Sequence, residues 1–221
     1  IGVIRGHELE KKAQLNPTLA FAKKHGMQFK FVKREAYRNK SEEAFIYSLK
    51  EEFGDFYLLP EGGTNELAIK GCEEILTVED EVFDCICTSV GTGGTMAGLV
   101  NCSKNGQQVL GFQALKGSFL GAEIHKFASK SNWKLIDAFT FGGYGKVSAE
   151  LVQFINQFKK ETGIPLDPIY TGKMMYGIIN LIKNGYFEKG TKLLAIHTGG
   201  LQGIAGVNDR LKQRNEPIID V

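Results

Sequence analysis

Residues 83–95 read FDCICTSVGTGGT, and this stretch decides the fold. Its first part, residues 83–89, is an apolar run rich in β-forming residues, which predicts a buried strand. The glycine loop that follows, Gly91-Thr92-Gly93-Gly94-Thr95, opens a predicted helix that runs from Thr95 to about Ser103. A strand, a glycine loop and a helix in this order are typical of a phosphate-binding site in an α/β protein.

The glycine loop has the chemistry to bind an anion. Glycines let backbone N–H groups approach the ligand, the helix N-terminus adds a favourable dipole, and Thr92 and Thr95 add hydroxyl donors. A Walker loop needs Gly-Lys before its Ser or Thr, and a dinucleotide-binding loop needs a glycine where Met96 stands. A small phosphate ester on a cofactor therefore fits better than either nucleotide, and a ligand-free turn between strand and helix is the alternative.

The rest of the chain alternates predicted strands and helices around this segment, which predicts an α/β protein with largely parallel sheets. Asn16 suits a helix N-cap and Pro17 the first turn that follows it. The predicted strands cover residues 1–6, 28–33, 56–59, 83–89, 108–114, 133–136 and 192–197, and the predicted helices cover residues 17–25, 41–53, 65–76, 95–103, 121–129, 148–161 and 173–184.

Composition and charge exclude several classes of protein. The 221 residues are 43% apolar, and 27 Lys and Arg against 25 Asp and Glu give a net charge of +2. Such a balance argues against nucleic acid or an anionic membrane as the main partner, and no apolar run is long enough to predict a transmembrane helix. The cysteines lack metal-ligand spacing, so we expect no metal site but buried free thiols in a reducing cytoplasm at Cys72, Cys85, Cys87 and Cys102.

Four short motifs around the glycine loop carry a resemblance to a known family. They are Pro60-Glu61-Gly62-Gly63-Thr64-Asn65, Gly143-Tyr144-Gly145, Pro168-Ile169-Tyr170-Thr171-Gly172-Lys173 and His197-Thr198-Gly199-Gly200. In this order, with SVGTGGTMAGL between the first two, the chain resembles pyridoxal-phosphate enzymes of the tryptophan-synthase-β fold. Within them it is similar to the group of 1-aminocyclopropane-1-carboxylate deaminase and D-cysteine desulfhydrase, over essentially its whole length.

The resemblance implies a role for each motif. The glycine loop at residues 91–95 would hold the phosphate of pyridoxal 5'-phosphate. Tyr144 and Tyr170 match two active-site tyrosines, which would contact the carboxylate or amine of the substrate or move a proton at its Cα. Thr171 and Thr198 match the positions near the pyridine nitrogen of the cofactor.

These two threonines bear on which reaction the family resemblance implies. The deaminases that resemble this chain carry a glutamate and a leucine at the places of Thr171 and Thr198. A carboxylate beside the pyridine nitrogen keeps that nitrogen protonated and makes the ring a strong electron sink, which the opening of a cyclopropane needs. A neutral hydroxyl leaves the nitrogen mostly unprotonated, and β-elimination tolerates this because the electrons leave with the β-substituent. His197 precedes Thr198 on the predicted strand, and we expect it to point the other way, into the core.

The resemblance thus favours a D-cysteine desulfhydrase-like β-elimination of a small amino acid to pyruvate, H₂S and ammonia. The first alternative is 1-aminocyclopropane-1-carboxylate deaminase. A second alternative, from another class, is a catalytically inactive protein that retains a phosphate pocket. A nucleotide-binding domain is disfavoured by Met96 and by the lack of an acidic residue after the predicted strand 108–114.

The family's cofactor-binding lysine is missing from this sequence. Enzymes of the group bind the cofactor covalently through a lysine in a pattern like G-N-K-x-R-K-L. Here the Asn39-Lys40 pair lacks the preceding glycine and the following basic pair. Because the family arrangement places this motif upstream of the first predicted strand, we expect the sequence to be a fragment, with a degenerate relative as the alternative.

The resemblance also implies an architecture and a setting. It implies two α/β lobes with mainly parallel sheets and the cofactor in the cleft between them. Residues 1–54 would form part of the small lobe, and residues 55–221 the large cofactor-binding lobe. A homodimer is implied by the family alone, and we expect a cytoplasmic enzyme.

Overall fold

The strand predicted at residues 83–89 lies inside a parallel sheet. In the computed structural model, which describes residues 1–220, it is strand β3 (Cys85–Val90), and each of its residues is buried. Over the described residues the sheet has four strands in the order β5-β4-β3-β6, where β4 is Gln108–Gln113, β5 is Trp133–Ile136 and β6 is Leu193–Ala195. All of the pairings are parallel, which confirms the predicted α/β fold.

The register of this sheet brings two of the predicted motifs to one edge. Val90 at the end of β3 pairs with Gln113 at the end of β4, and Cys87 of β3 pairs with Ala195 at the end of β6. The chain therefore leaves β3 and β6 on the same side of the sheet. Open parallel sheets bind ligands at this carboxyl edge.

Helices cover both faces of the sheet. On one face, Ile86 and Val109 pack with side chains of α5 (Gly94–Cys102) and α6 (Phe119–His125). On the other face, Cys87 and Leu110 pack with Met174 of α8 (Thr171–Lys183). Successive strand residues point to opposite faces, so each strand contributes to both cores.

Three more helices complete this compact unit, Leu59–Val221. They are α4 (Glu66–Glu73), α7 (Ala149–Thr162) and α9 (Gly203–Gln213), with short 3-10 turns at Glu61–Gly63 and Val78–Val82. Leu151 and Ile155 of α7 pack with Ile204, Val207 and Leu211 of α9 in a separate core. No helix within residues 1–220 is long and apolar enough to cross a membrane.

The first 58 residues form a second compact unit, Ile1–Leu58. Its strands β1 (Gly2–Arg5) and β2 (Phe29–Val32) pair in parallel. Helix α1 (Pro17–Lys24) begins as predicted, because the Asn16 side chain accepts a hydrogen bond from the Leu19 N–H at 3.1 Å and Pro17 occupies the first turn. The unit also contains a 3-10 segment at His7–Leu15 and the helices α2 (Arg34–Arg38) and α3 (Glu43–Phe53).

One predicted strand is absent, and one long helix was not predicted. The strand predicted at residues 56–59 does not form, and Tyr57, Leu58 and Leu59 are exposed. An apolar run this short becomes a strand only where a neighbouring strand pairs with it. Helix α9 was not predicted, although Ile204, Val207 and Leu211 have the spacing of an amphipathic helix.

Candidate functional site

A cavity of about 350 Å³ opens at the carboxyl edge of the four-stranded sheet. It lies wholly within the unit Leu59–Val221. The segments that line it follow β3 and β6 or begin α4, α5 and α8, so it occupies the place where parallel α/β sheets bind ligands. Its lining includes residues 62–64, 91–96, Tyr170 and 198–200.

The glycine loop lines this cavity with all five of its residues, 91–95. Gly93 is the N-cap of α5 with a φ of 95°, a left-handed conformation, and a Cβ at this position would lie only 2.7 Å from Ile124 Cγ1. Ala97 N–H bonds to the Gly93 carbonyl, which leaves the N–H groups of the first turn without acceptors inside the helix. Among the described residues no side chain caps α5, so these donors are available to an anion.

A neighbouring turn supports the loop. The hydroxyl oxygens of Thr64 and Thr92 are 2.7 Å apart. A Cβ on Gly62 would lie 2.5 Å from Thr92 Cγ2, and one on Gly94 would lie 2.9 Å from Thr64 Oγ1. Because Gly62 and Gly94 lack a Cβ, the Thr92 side chain can pack against the backbone at Gly62, and the Thr64 side chain against the backbone at Gly94. Thr64 belongs to one of the family motifs but was not predicted as a site residue. It lines the cavity beside the glycine loop.

The rings of Tyr144 and Tyr170, the two tyrosines predicted to lie in the active site, contact each other. Of these two, Tyr170 lines the cavity and Tyr144 does not. Their rings are 6.1 Å apart in an edge-to-face arrangement, and Tyr144 is 57% exposed. The Tyr170 ring lies against Gly91, where an added Cβ would be 3.2 Å from its Cε1 atom. Burial, then a hydrogen bond with Tyr144, raises the pKa of Tyr170 above its usual range. Its phenol is therefore protonated at neutral pH and can donate a hydrogen bond.

A buried carboxylate holds the start of α8, where Tyr170 and Thr171 lie. Asp167 Oδ1 accepts hydrogen bonds from the N–H groups of Ile169 and Tyr170, both at 2.8 Å. Its Oδ2 accepts from Thr171 N–H at 2.8 Å and from the Thr171 hydroxyl at 2.7 Å. Thr171 is fully buried and lies outside the cavity lining. Its proposed contact with the cofactor stays a prediction, since its hydroxyl proton is directed to Asp167.

Thr198 lines the cavity opposite this helix start. Its hydroxyl oxygen is 3.3 Å from that of Ser89, the penultimate residue of β3. The prediction for His197 is wrong, because its ring is exposed rather than packed in the core. Strand β6 ends at Ala195, so the alternation of a strand no longer applies two residues later. His197 Nε2 donates to the Pro165 carbonyl at 2.9 Å and Nδ1 accepts from Gly199 N–H at 3.1 Å, which fits a neutral ring.

Comparisons with known proteins find relatives that match most of the chain. The chain is 33% identical over 197 residues to the 1-aminocyclopropane-1-carboxylate deaminase of Rhizobium rhizogenes, covering 76% of this chain and 57% of that protein. It is 30% identical over 226 residues to the mitochondrial bifunctional D-cysteine desulfhydrase/1-aminocyclopropane-1-carboxylate deaminase of Arabidopsis thaliana, covering 84% and 53%. A crystal structure of an ACC deaminase homologue superposes with a TM-score of 0.78 at 29% identity, covering 96% of this chain and 69% of that one.

The chain belongs to the family of 1-aminocyclopropane-1-carboxylate deaminases and D-cysteine desulfhydrases. It matches no protein-family model. It spans a little over half of the length of these two relatives, 57% and 53%. The match to the homologue structure covers nearly all of this chain, so the fold of the family applies to both of its parallel sheets.

In this deaminase and desulfhydrase family member, the described residues that line the cavity carry no charged side chain. Their polar groups are hydroxyls, the Gln202 amide and backbone N–H groups, beside the thiol of Cys72. A bound anion would therefore be stabilised by the α5 N-terminus rather than by a lysine or arginine of this part of the site.

The remaining predictions concern the thiols and metals. The four cysteines are free, with Cys85 and Cys87 buried and Cys72 and Cys102 half-buried. The prediction of buried thiols therefore holds for the strand pair and fails for the two cysteines on helices. Within residues 1–220, no group of three or more His, Cys, Asp or Glu side chains is placed to hold a metal ion.

Proposed function

We propose that the protein is a pyridoxal-phosphate-dependent lyase that acts on a small amino acid, with D-cysteine as the substrate class. The observation that carries this proposal is the cavity itself, where an uncapped α5 N-terminus, the Tyr170 phenol and the Thr198 hydroxyl lie around one space. With water, D-cysteine would give pyruvate, H₂S and ammonia. Family membership supports an enzyme of this class, and the exact activity is our proposal.

The residues present fit a phosphate monoester. The first-turn N–H groups of α5 have no acceptor within the helix, and Thr92 and Thr95 place hydroxyls on the same loop. Gly93 takes up a φ that a side chain would strain. These features form a cradle for an anion with oxygen atoms, as the phosphate of pyridoxal 5'-phosphate would be. When bound, that cofactor supplies an aldehyde for the substrate amine and a conjugated ring that withdraws electrons from Cα.

The chain's own residues then have separable tasks. The loop at residues 91–95 would hold the phosphate, and Thr198 and Thr171 would lie near the ring nitrogen. Tyr170 would bind the substrate or move a proton at its Cα as a phenol, because its raised pKa keeps it protonated. Tyr144, which contacts Tyr170 edge-on, would complete the substrate side of the site.

The absence of a carboxylate among the described cavity-lining residues favours elimination over ring opening. The hydroxyl of Thr198 is paired with Ser89, and that of Thr171 is directed to Asp167. Neither hydroxyl would keep a ring nitrogen protonated as a carboxylate does. β-Elimination of a good leaving group such as hydrosulfide needs only the weaker electron sink that a ring with an unprotonated nitrogen provides.

A deaminase remains the second candidate, because the Rhizobium rhizogenes relative carries that name and the Arabidopsis thaliana relative carries both. A non-catalytic protein with the same pocket is the third. The lysine that binds the cofactor, the assignment of residues 1–54 and 55–221 to the small and large lobes, a homodimer and a cytoplasmic location are further parts of the proposal, each resting on the family resemblance or the sequence.

The test uses the full-length protein with added pyridoxal phosphate. Sulfide and pyruvate are measured with D-cysteine and with L-cysteine, and ammonia and 2-oxobutanoate with the cyclopropane amino acid. The proposal expects sulfide and pyruvate from D-cysteine with the highest kcat/KM. Faster release of 2-oxobutanoate would establish the deaminase instead. Cofactor binding without turnover of any of them would establish the non-catalytic reading.

Borohydride reduction followed by intact-mass measurement tests the cofactor link separately. One cofactor fixed per chain supports the enzyme assignment, whereas a mass without an adduct contradicts it.

The variant Thr198→Val tests the role of the Thr198 hydroxyl, since it keeps the shape of the side chain and removes the hydroxyl. It should lower kcat about tenfold. Thr191→Val, which changes a hydroxyl bonded to the Glu188 carbonyl outside the cavity, should leave kcat unchanged.

A further inference from the structure

Lys173 is a buried cation to which the proposed reaction assigns no role. It lies in the first turn of α8 and is 1% exposed. Its Nζ donates to the carbonyl oxygens of Thr140 at 2.9 Å and of Gly143 at 2.8 Å. A buried amine is costly to desolvate, so such a position needs strong partners. Both partners belong to the loop that carries Tyr144.

That loop consists of two consecutive turns, and Lys173 binds the closing carbonyl of each. Gly143 N–H bonds to the Thr140 carbonyl at 3.0 Å, and Lys146 N–H bonds to the Gly143 carbonyl at 3.2 Å. The Lys173 ammonium therefore shares both acceptors with the turns themselves. Tyr144 lies inside the second turn, directly after the Gly143 carbonyl that Lys173 binds.

The loop contains one residue in a conformation that needs external support. Phe141 has a φ of 51°, which is uncommon for a residue with a side chain, whereas Gly142 at 92°, Gly143 at 112° and Gly145 at 66° adopt positive φ readily. A non-glycine residue in this conformation persists only where surrounding contacts hold it. Tyr144 is itself exposed, so its own packing cannot supply that support.

The same helix start holds the other tyrosine. Asp167 accepts hydrogen bonds from the N–H groups of Tyr170 and Thr171 and carries the charge that opposes that of Lys173. Burial lowers the pKa of Lys173 to about 8, and the Asp167 charge partly offsets this. Even a neutral amine retains two N–H donors, one for each carbonyl. The contact to the loop is therefore available in both protonation states.

We propose that Lys173 is a positioning residue, which holds the loop at residues 140–146 so that Tyr144 meets Tyr170 at the cavity. The catalytic part of this inference rests on the proposed lyase function. The structural part, that Lys173 helps to keep the two turns closed, does not. The two parts are tested by different measurements on the full-length protein.

The structural part is tested by amide hydrogen exchange in Lys173→Met. This variant keeps a long side chain and removes the donors. Exchange of the Gly143 and Lys146 amides, read from peptides covering residues 139–147, should become about tenfold faster, as expected for the loss of one or two hydrogen bonds. Exchange in the glycine loop at residues 91–97 should not change. Lys183→Met, at the exposed end of the same helix, is the matched control and should change neither segment.

The catalytic part is tested by a double-mutant cycle with Tyr144→Phe. If Lys173 acts through Tyr144, Lys173→Met lowers kcat about tenfold in the wild-type background and has no further effect in Tyr144→Phe. The affinity for pyridoxal phosphate should stay within about twofold of wild type, because Lys173 contacts no residue of the phosphate loop. A purely structural role would instead lower kcat equally in both backgrounds.

Each outcome decides one part. Unchanged exchange at residues 139–147 overturns the inference whatever the activity, and additive effects on kcat overturn its catalytic part. Absence of turnover in the wild type removes the proposed function, and the exchange measurement still decides the structural part. If Lys173→Met does not fold, Lys173→Gln, which retains N–H donors, takes its place and should show intermediate exchange. Failure of both variants to fold overturns the inference in favour of a global role.

Discussion

At the residue scale, the site depends on a few positions where backbone and side chains approach unusually closely. Gly93 combines a φ of 95° with a neighbour, Ile124, that leaves no room for a Cβ. Tyr170 combines contact with Gly91 and burial that raises its pKa. A substitution at each of these positions tests its role in the site.

Gly93→Ala should damage both the loop and the fold. The substitution forces a Cβ to within 2.7 Å of Ile124 Cγ1 at a left-handed φ, so we expect it to cost about 2–4 kcal/mol in the free energy of unfolding. Urea denaturation measures that loss, and the affinity for pyridoxal phosphate should fall with it. Gly121→Ala is the control, since its Cβ on α6 would meet no atom within 4 Å. Equal effects of the two variants would contradict the role of the loop.

Tyr170→Phe should lower kcat far more than Tyr144→Phe. Tyr170 lines the cavity as a protonated phenol, whereas Tyr144 is exposed and contacts it from the side. Loss of a positioned proton donor is worth about 10²-fold to 10⁴-fold in kcat, and loss of its neighbour should be worth about tenfold. Steady-state kinetics with D-cysteine measures both, and circular dichroism checks the fold. A larger effect at Tyr144 would reverse the assignment.

At the scale of elements, helix α8 organises the site from its first turn. The Asp167 carboxylate, which precedes the N-cap Tyr170, accepts hydrogen bonds from three backbone N–H groups and one hydroxyl, whereas the Ser148 side chain, the N-cap of α7, accepts a single hydrogen bond at 3.2 Å from Leu151 N–H. A buried acceptor with more partners stabilises the backbone around it more strongly. The backbone that follows Asp167 is therefore held by hydrogen bonds to this carboxylate.

Asp167→Ala should accordingly destabilise the protein by about 3 kcal/mol, because it leaves several buried donors unsatisfied. Ser148→Ala, the comparison at α7, should cost about 1 kcal/mol. Chemical denaturation of the two variants measures the difference. If Asp167→Ala were no more destabilising than Ser148→Ala, the Asp167 carboxylate would not be what holds Tyr170 and Thr171.

At the scale of the whole molecule, stability should depend on pH through Lys173. Its pKa is about 8 in the folded protein, below the usual 10.5, so the unfolded chain binds more protons between these values. The cost of burying the ammonium is fully present below pH 8 and disappears as the pH rises towards 10.5. The free energy of unfolding attributable to this group therefore rises with pH across that window.

The measurement is the difference in unfolding free energy between wild type and Lys173→Met from pH 7 to about pH 10. This difference removes the contribution of the other titrating groups, including Tyr170. We expect wild type to gain stability relative to the variant as the pH rises. A difference that is flat with pH would show that the amine is not desolvated. Lys183→Met, exposed on the same helix, is the control for the loss of a lysine side chain.

Much of the fold could be predicted from the sequence because its signals are local. The run CICTSV is apolar enough to require burial on both faces, and the loop GTGGT that follows it requires glycine conformations and a helix start. Asn16 and Pro17 likewise determine where α1 begins. These features depend on neighbours in sequence, and the structure has each of them where it was predicted.

Only the tertiary structure decided which of the predicted site residues share a cavity. Thr171 belongs to a family motif, yet its hydroxyl is directed to Asp167, whereas Ser89 reaches Thr198 from 109 residues away in sequence. The run at residues 56–59 lacks a strand partner, and the Lys173 contacts join residues 30 and 33 positions apart. Sequence alone determined most of the elements and the glycine turn that opens α5, because their physics is local. The pairing of hydroxyls, carboxylate and lysine depends on which segments the packed sheet brings together.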